Sequence, residues 1–255
     1  MSSLILFLAL ATLATAAELP TVLFLANPMR SDNDVIRRPE PNVLSIAERH
    51  FEELSRGVFK VTITQDGTEV TREKLSRYQA VVFYTAIQPT DIDQEALIRW
   101  VREGGAFVGI HSTANTFQKN SEFGEMLGAF YDRRPWRTPT SPQVNVRVTV
   151  NDRLHPATQH LPATFEISDD IYQFKRFDPS KVHVLLSLDP ASLDLENSKV
   201  NRADRQFPVS WTKHYGSGRV FYTALGDWEP VWQDPRYRIH LIQGIKWAIG
   251  AVAGN

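Results

Sequence analysis

Three short apolar runs, Thr21 to Asn27 (TVLFLAN), Ala80 to Tyr84 (AVVFY) and Ala106 to Gly109 (AFVG), are separated by stretches with helical spacing. Strands buried on both faces of a parallel sheet read as continuous apolar runs rather than as alternation, so this arrangement restricts the fold more than any other feature. From Val43 to Leu54 the residues Val43, Leu44, Ile46, Ala47, Phe51 and Leu54 recur at helical spacing, and Gly57 closes the element. Phe59 to Thr64 alternates like a strand. Asp91 with Gln94 has the form of a helix cap, Ile92, Ala96, Leu97, Trp100 and Val101 form one helical face, and Gly104-Gly105 ends it. Strand, helix, strand, short helix, strand, helix, strand predicts an α/β fold in three layers, a parallel sheet with helices on both faces.

After His111 the pattern changes. Glu122 to Phe130 reads as a short helix, and Tyr131 to Pro142, with three arginines, three prolines and Trp136, reads as a surface loop. Val144 to Val150 alternates cleanly, and Phe165 to Phe174, Val182 to Leu188, Phe207 to His214 and Arg219 to Leu225 are four more strand candidates. Such a run of strands predicts an antiparallel extension of the sheet. Arg236 to Ile249 closes the chain as a helix, and with no repeat or linker in sight residues 18–255 are expected to form a single domain.

Lys and Arg number 28 against 29 Asp and Glu, a formal charge of -1, so nothing marks a nucleic-acid partner. Leu4 to Ala17 is almost continuously apolar and runs into small residues before Glu18. The run is too short for a membrane span and has the form of a signal peptide over residues 1–17, which predicts export to a periplasmic or extracellular location and no membrane association after cleavage. The chain has no cysteine, which removes disulfides, thiol catalysis and zinc-thiolate sites together.

The carboxyl ends of parallel strands, and the crevice beyond them, are where ligands bind. His111 stands at such an end, followed by Ser112 and Thr113, and its near-neutral titration suits acid/base work; the bland alternative is an imidazole that ties the turn together. Asn27 arrives at the end of the first strand and opens a long loop, Pro28 to Asn42, that carries Arg30, Asp32, Asp34, Arg37 and Arg38. Asp169 and Asp170 are adjacent on a strand candidate and should face opposite sides, one toward a site and one toward solvent. His155, held in the turn after Asn151-Asp152-Arg153, is either structural or lines the site. Asp227-Trp228-Glu229 with Trp232 pairs carboxylates with indoles, the chemistry of sugar binding, whereas Trp211 and Trp247 are expected in the core. A metal would need ligands such as His111, Asp227 and His155 to converge, without any short His-x-His spacing to signal it.

Taken together, Gly105 to Thr113 (GAFVGIHST), Met126-Leu127-Gly128, His155-Pro156, Asp169 to Tyr172 (DDIY), Pro208 to Trp211 (PVSW), Tyr215 to Gly226 (YGSGRVFYTALG) and Trp247-Ala248 resemble the ThuA-like, trehalose-utilisation family. The resemblance spans nearly the whole chain after residue 17 and implies a flavodoxin-like, class I glutamine amidotransferase-like fold. That fold places its nucleophile in a Gly-x-Cys turn, where this chain reads Gly109-Ile110-His111, so thiolate-based glutamine hydrolysis is excluded. Two residues depart from the family pattern: Asp227 stands in place of a histidine after Leu225-Gly226, and Arg134 in place of one before Pro135. A metal site or proton relay built on those two histidines would lack both here.

The resemblance also implies a small-molecule carbohydrate as partner, notably glucosides oxidised to 3-keto forms. On that expectation His111 removes a proton beside the carbonyl, Asp170 or Asp227 fixes or returns it, backbone N–H groups after Ser112 steady the enolate, and Tyr172, in an Asp-x-Tyr motif with Asp170, offers a hydroxyl. Asn27, Ser112, Tyr172, Trp228, Trp232, His155 and Arg134 are the candidate substrate-binding residues; no cofactor is assigned and a divalent metal stays open. A non-catalytic sugar-binding module using Trp228, Trp232 and Asp227, and a metal-dependent hydrolase, are the rival readings.

Overall fold

The apolar runs become neighbouring strands. A computed structural model describes residues 18–26, 35–84, 91–138 and 143–254. The expected signal peptide (residues 1–17) and Asn27 therefore lie outside the described residues, as do Arg30, Asp32 and Asp34 of the loop that follows. In the first half β1 (Thr21–Leu25), α1 (Ile46–Ser55), β2 (Lys60–Thr64), α2 (Arg72–Leu75), β3 (Ala80–Tyr84), α3 (Gln94–Arg102) and β4 (Ala106–Ile110) follow in order. The second half continues with α4 (Ser121–Leu127), β5 (Phe130–Arg133), β6 (Val144–Val150), β7 (Thr164–Asp169), β8 (Gln173–Lys175), β9 (His183–Leu188), β10 (Pro208–Tyr215), β11 (Gly218–Thr223), α5 (Glu229–Gln233) and α6 (Pro235–Ala248). Among these residues no helix is long and apolar enough to cross a membrane.

The main sheet runs β2-β1-β3-β4-β11-β10-β9-β6-β7. Its first five strands are parallel, and the chain then turns antiparallel from β10 onward. That is the three-layer parallel sheet with an antiparallel extension that the sequence predicts. β1, β3 and β4 are almost wholly buried, as continuous apolar runs must be. Successive strand residues face opposite ways, and β11 illustrates the consequence. Phe221 meets α6, where a Cβ on Gly244 would lie 2.5 Å from its ring, while Tyr222 faces the side of Leu127 and Trp211. Trp211 and Trp247 are fully buried, as expected.

Local chemistry sets the helix ends. Asp93 caps α3, accepting from Ala96 N at 2.9 Å, so the cap lies two residues beyond the Asp91 that the sequence suggests. Asp91 accepts instead from Gly67 N. Ser45 and Glu48 form a capping box at the start of α1, and Glu48, with no exposed surface, takes Arg38 through two bonds of 2.8 Å. Arg38→Ala would leave that carboxylate buried and unpaired, and chemical denaturation should register a loss of about 1–3 kcal/mol.

Two sequence expectations need correction. The segment Phe165 to Phe174 is not one strand, because the main sheet ends at Asp169 and the chain then turns into β8, which pairs antiparallel with β5 in a separate two-stranded sheet. Tyr131 to Pro142 is not simply a surface loop: its first residues belong to β5, and Trp136 is 9% exposed. Both differences build the site described next.

Candidate functional site

β4 delivers His111 into a short 3-10 turn, His111–Asn115, with φ 43°, a left-handed conformation that non-glycine residues seldom hold without support. The support is present. The imidazole Nδ1 lies 2.7 Å from Ala224 O, the Tyr222 hydroxyl donates to the His111 carbonyl at 2.7 Å, and the Thr113 hydroxyl donates to Phe83 O at 2.6 Å. With Nδ1–H committed to a carbonyl, the ring orientation is fixed and Nε2 faces the rest of the site. The Tyr172 ring packs 4.2 Å from the imidazole.

Nε2 meets two carboxylates. Asp227 Oδ1 lies 3.2 Å away, off the line of a straight hydrogen bond, and Asp170 Oδ2 lies 4.0 Å away. Burial by itself depresses an imidazole pKa, but the carboxylates of Asp227, Asp170 and Asp169 outweigh it and lift His111 to about 9. For Asp227, burial pushes upward, yet the facing imidazolium and the nearby Arg134 and Arg137 bring it below the usual carboxylate range. The two shifts agree in direction: the pair is an imidazolium facing a carboxylate.

Asp227 is positioned by a turn that glycine makes possible. Gly226 has φ 115°, and a Cβ there would sit 2.5 Å from the Tyr237 hydroxyl. Its carbonyl accepts from the Tyr84 hydroxyl at 2.5 Å and from the Trp232 indole at 2.8 Å. Its N–H donates to Asp169 Oδ2 at 2.7 Å, and Asp227 N donates to Asp169 Oδ1 at 3.1 Å. Although β7 is the far edge strand, the turn after β11 thus reaches its end. Gly226→Ala should cost about 1–3 kcal/mol in a thermal melt and displace Asp227, because both φ and space are violated.

Sequence alternation suggests that one of Asp169 and Asp170 meets solvent; the structure buries both completely. β7 ends at Asp169, so alternation no longer applies beyond it, and the β11 turn and the arginine-bearing segment cover the two acids. Burial, only partly opposed by His111, raises Asp169 to about 7. Burial likewise raises Asp170, against the pull of His111 and Arg134. Arg134 Nε lies 2.6 Å from Asp170 Oδ2, its guanidinium donates to the Tyr172 hydroxyl at 3.1 Å, and it stacks on the rings of Tyr131 and Tyr172. Arg137 reaches the same Asp170 oxygen at 3.4 Å.

Of the sequence candidates, His111, Asp170, Asp227, Tyr172 and Arg134 come together. Ser112 is on the same turn, 7% exposed, with a buried hydroxyl that has no partner among the described residues. Trp228 stays half-buried beside Asp227, and its indole N–H is buried without a partner among the described residues. Two candidates do not converge. Trp232 is fully buried among Phe24, Tyr84 and Tyr237, behind the Gly226 turn, so it supports the site rather than offering a face to a sugar. His155 packs on Trp247, whose carbonyl accepts from Arg219 at the start of β11; this is the opposite end of the strands from His111. Burial there lowers His155 to about 4. The metal cluster that joins His111, Asp227 and His155 therefore does not form, whereas His111, Asp170 and Asp227 hold ligand atoms within 4.8 Å of one another. That trio could hold a cation, but Arg134 already supplies positive charge to Asp170. The sequence reading missed Arg137 and the role of Asp169; the DDIY motif and the arginines flanking Pro135-Trp136 were the available signals.

These shifts fix the sign of the pH dependence. His111, raised from 6.5 to about 9, adds stability that is fully present below pH 6.5 and lost as pH rises through 9. Asp169, raised from 3.8 to about 7, adds a penalty as it ionises, in the same direction. His240, buried and lowered from 6.5 to about 3, adds stability present above pH 6.5 and lost toward pH 3. Over pH 4 to 6.5 the Asp169 and His240 contributions oppose each other, and above pH 6.5 the melting temperature should fall as pH rises through 9; a plateau from pH 6.5 to 9.5 would contradict the ionised pair.

Comparison with known proteins agrees with this fold. The family model ThuA, described as trehalose utilisation, matches residues 37–248. A ThuA-like protein from Bacteroides uniformis superposes with a TM-score of 0.71 at 24% identity, covering 93% of this chain and 95% of that one. A ThuA-like protein from Parabacteroides merdae gives 0.67 at 18% identity, covering 93% and 92%. A Thermoplasma acidophilum protein described as part of a GMP synthase gives 0.56 at 9% identity, covering 92% and 96%, a likeness of fold alone. No curated protein sequence matches the chain. With the family model covering most of its length, the chain belongs to the ThuA family of trehalose utilisation, on an amidotransferase-like fold with a histidine in the turn after the central strand.

Proposed function

We propose that this protein is an enzyme that moves a proton beside the carbonyl of an oxidised glycoside, a 3-keto-glucoside being the first substrate to try. The observation that carries the reading is the buried His111–Asp227 ion pair at the end of a parallel strand, on a residue held at positive φ. A strained, over-determined residue in the crevice of an α/β sheet is where function is commonly found. Family membership supports a carbohydrate as the partner.

The ionisation state supports a division of roles. An imidazolium whose pKa is near 9 is a hydrogen-bond donor at neutral pH, so His111 polarises the sugar carbonyl and stabilises the oxyanion. Asp227, the most exposed carboxylate of the cluster at 13%, takes the proton from the adjacent carbon. This exchanges the roles that the sequence alone suggests for the two residues. Asp170 tunes the pair, and Tyr172 packs against the imidazole while its hydroxyl accepts from Arg134. The purified protein incubated with a 3-keto-glucoside beside its unoxidised parent, followed by NMR and mass spectrometry, should convert the keto sugar alone. Conversion of neither sugar by folded protein would remove the reading. The proposal extends to export, on the strength of the apolar Leu4 to Ala17 run, and cell fractionation tests that part.

A further inference from the structure

The segment Arg134–Arg137 is fastened at its middle. The carbonyl of Pro135 accepts from Asn197 Nδ2 at 2.8 Å, the Trp136 indole donates to Asp194 O at 3.0 Å, and the Trp136 ring sits edge-on to Phe207 at 5.3 Å. Pinning the two central residues leaves the flanking arginines to face the site, where both approach Asp170 Oδ2. Their charges also act together on Asp227.

One carboxylate does not need two guanidinium groups. Arg134 is the committed one: it is stacked on two tyrosines, bonded to Tyr172 and ion-paired with the acid at 2.6 Å, although its Nε makes no aligned hydrogen bond. Arg137 is different. Its side chain is 41% exposed, its contact with Asp170 is long at 3.4 Å, and among the described residues its remaining N–H groups make no hydrogen bond. A half-exposed pair of that length adds little to stability. A second observation points to a ligand: Asp170 Oδ1, in the cluster, and Ser112 Oγ, on the His111 turn, are buried with no hydrogen-bond partner among the described residues, a costly condition unless something else satisfies them. Asp170 Oδ1 suits a sugar hydroxyl that donates, Ser112 Oγ suits one that donates or accepts, and the planar fork of Arg137 suits a group with two acceptor oxygens.

We propose that the sugar handled here carries an anionic substituent, a carboxylate or a phosphate, docked by Arg137 while Arg134 holds Asp170 beneath it. The inference rests on the reading of this crevice as a sugar site and narrows its substrate class. It assigns different work to the two arginines. Arg134 is a positioning residue, acting through Asp170 and Tyr172, and Arg137 is the group that meets the ligand.

Isothermal titration with glucose, glucuronate and glucose 6-phosphate tests it, with acetate and inorganic phosphate as bare-anion controls. The proteins are the wild type, Arg137→Gln, Arg137→Lys and His111→Ala, each checked for an unchanged circular dichroism spectrum. One of the two acidic sugars should bind at least tenfold more tightly than glucose and than its bare anion, and which one does so identifies the substituent. Arg137→Gln should weaken that binding about ten- to a hundredfold, bringing it close to glucose, and Arg137→Lys should recover only part of it. His111→Ala should still bind the acid, which separates docking from turnover. Binding of glucose as tight as that of both acids would overturn the anionic class while keeping the sugar site. Equal binding of bare phosphate or acetate, or indifference to Arg137→Gln, would overturn it as well. Failure of all three sugars to bind would remove both this inference and the sugar reading beneath it.

Discussion

Replacing His111 by alanine is expected to lower turnover of the oxidised glycoside by about a hundred- to thousandfold, the usual worth of one oxyanion-stabilising donor. Alanine removes the only cation that faces Asp227 from within the β4 turn, and it also tolerates φ 43° poorly. His111→Asn is therefore the companion variant, because asparagine accepts left-handed backbone and can still bond Ala224 O. It should keep the fold and lose the rate. The pH profile separates the two roles open to the imidazole. If the protonated form is required, activity declines as pH rises through about 9; if neutral imidazole were the base, activity would rise over the same interval. A 15N-resolved titration of the His111 ring checks the cause independently of any substrate.

Trp232→Ala should produce the largest loss of stability, about 3–5 kcal/mol by denaturant unfolding. The indole has no exposed surface, packs against Phe24, Tyr84 and Tyr237, and fixes the Gly226 carbonyl with its N–H. Its removal leaves a large void and frees the turn that sets Asp227 against His111. Trp232→Phe is the informative partner. It fills most of the space but cannot donate to Gly226 O, so it should recover much of the stability while leaving activity impaired. Full activity in Trp232→Phe would show that the Gly226 turn needs no such tether.

The sheet was legible because burial on both faces leaves a mark that sequence preserves, as AVVFY and AFVGI do. His111 was legible for the same reason: it follows such a run directly. Alternation after Val144 likewise announced the antiparallel strands. What escaped were relations that only the closed chain creates. Nothing in the DDIY motif says that the turn after β11 will place two backbone N–H groups on Asp169. Nothing near Trp232 distinguishes a sugar platform from a core indole, and the core prevailed. His155 follows a turn-forming run that reads the same at either end of the strands, and its packing on Trp247 goes with the end away from His111. The arginine-rich stretch read as solvated because its anchors, Asn197 and Asp194, lie some sixty residues away.

The most direct test of proton transfer at this site is solvent exchange. A 3-keto-glucoside incubated with the protein in deuterium oxide, followed by proton NMR, should lose the signal of the C–H beside its carbonyl faster than without protein, and this acceleration should vanish in His111→Asn. Exchange at the uncatalysed rate with folded wild-type protein, or acceleration that persists in His111→Asn, would contradict the account.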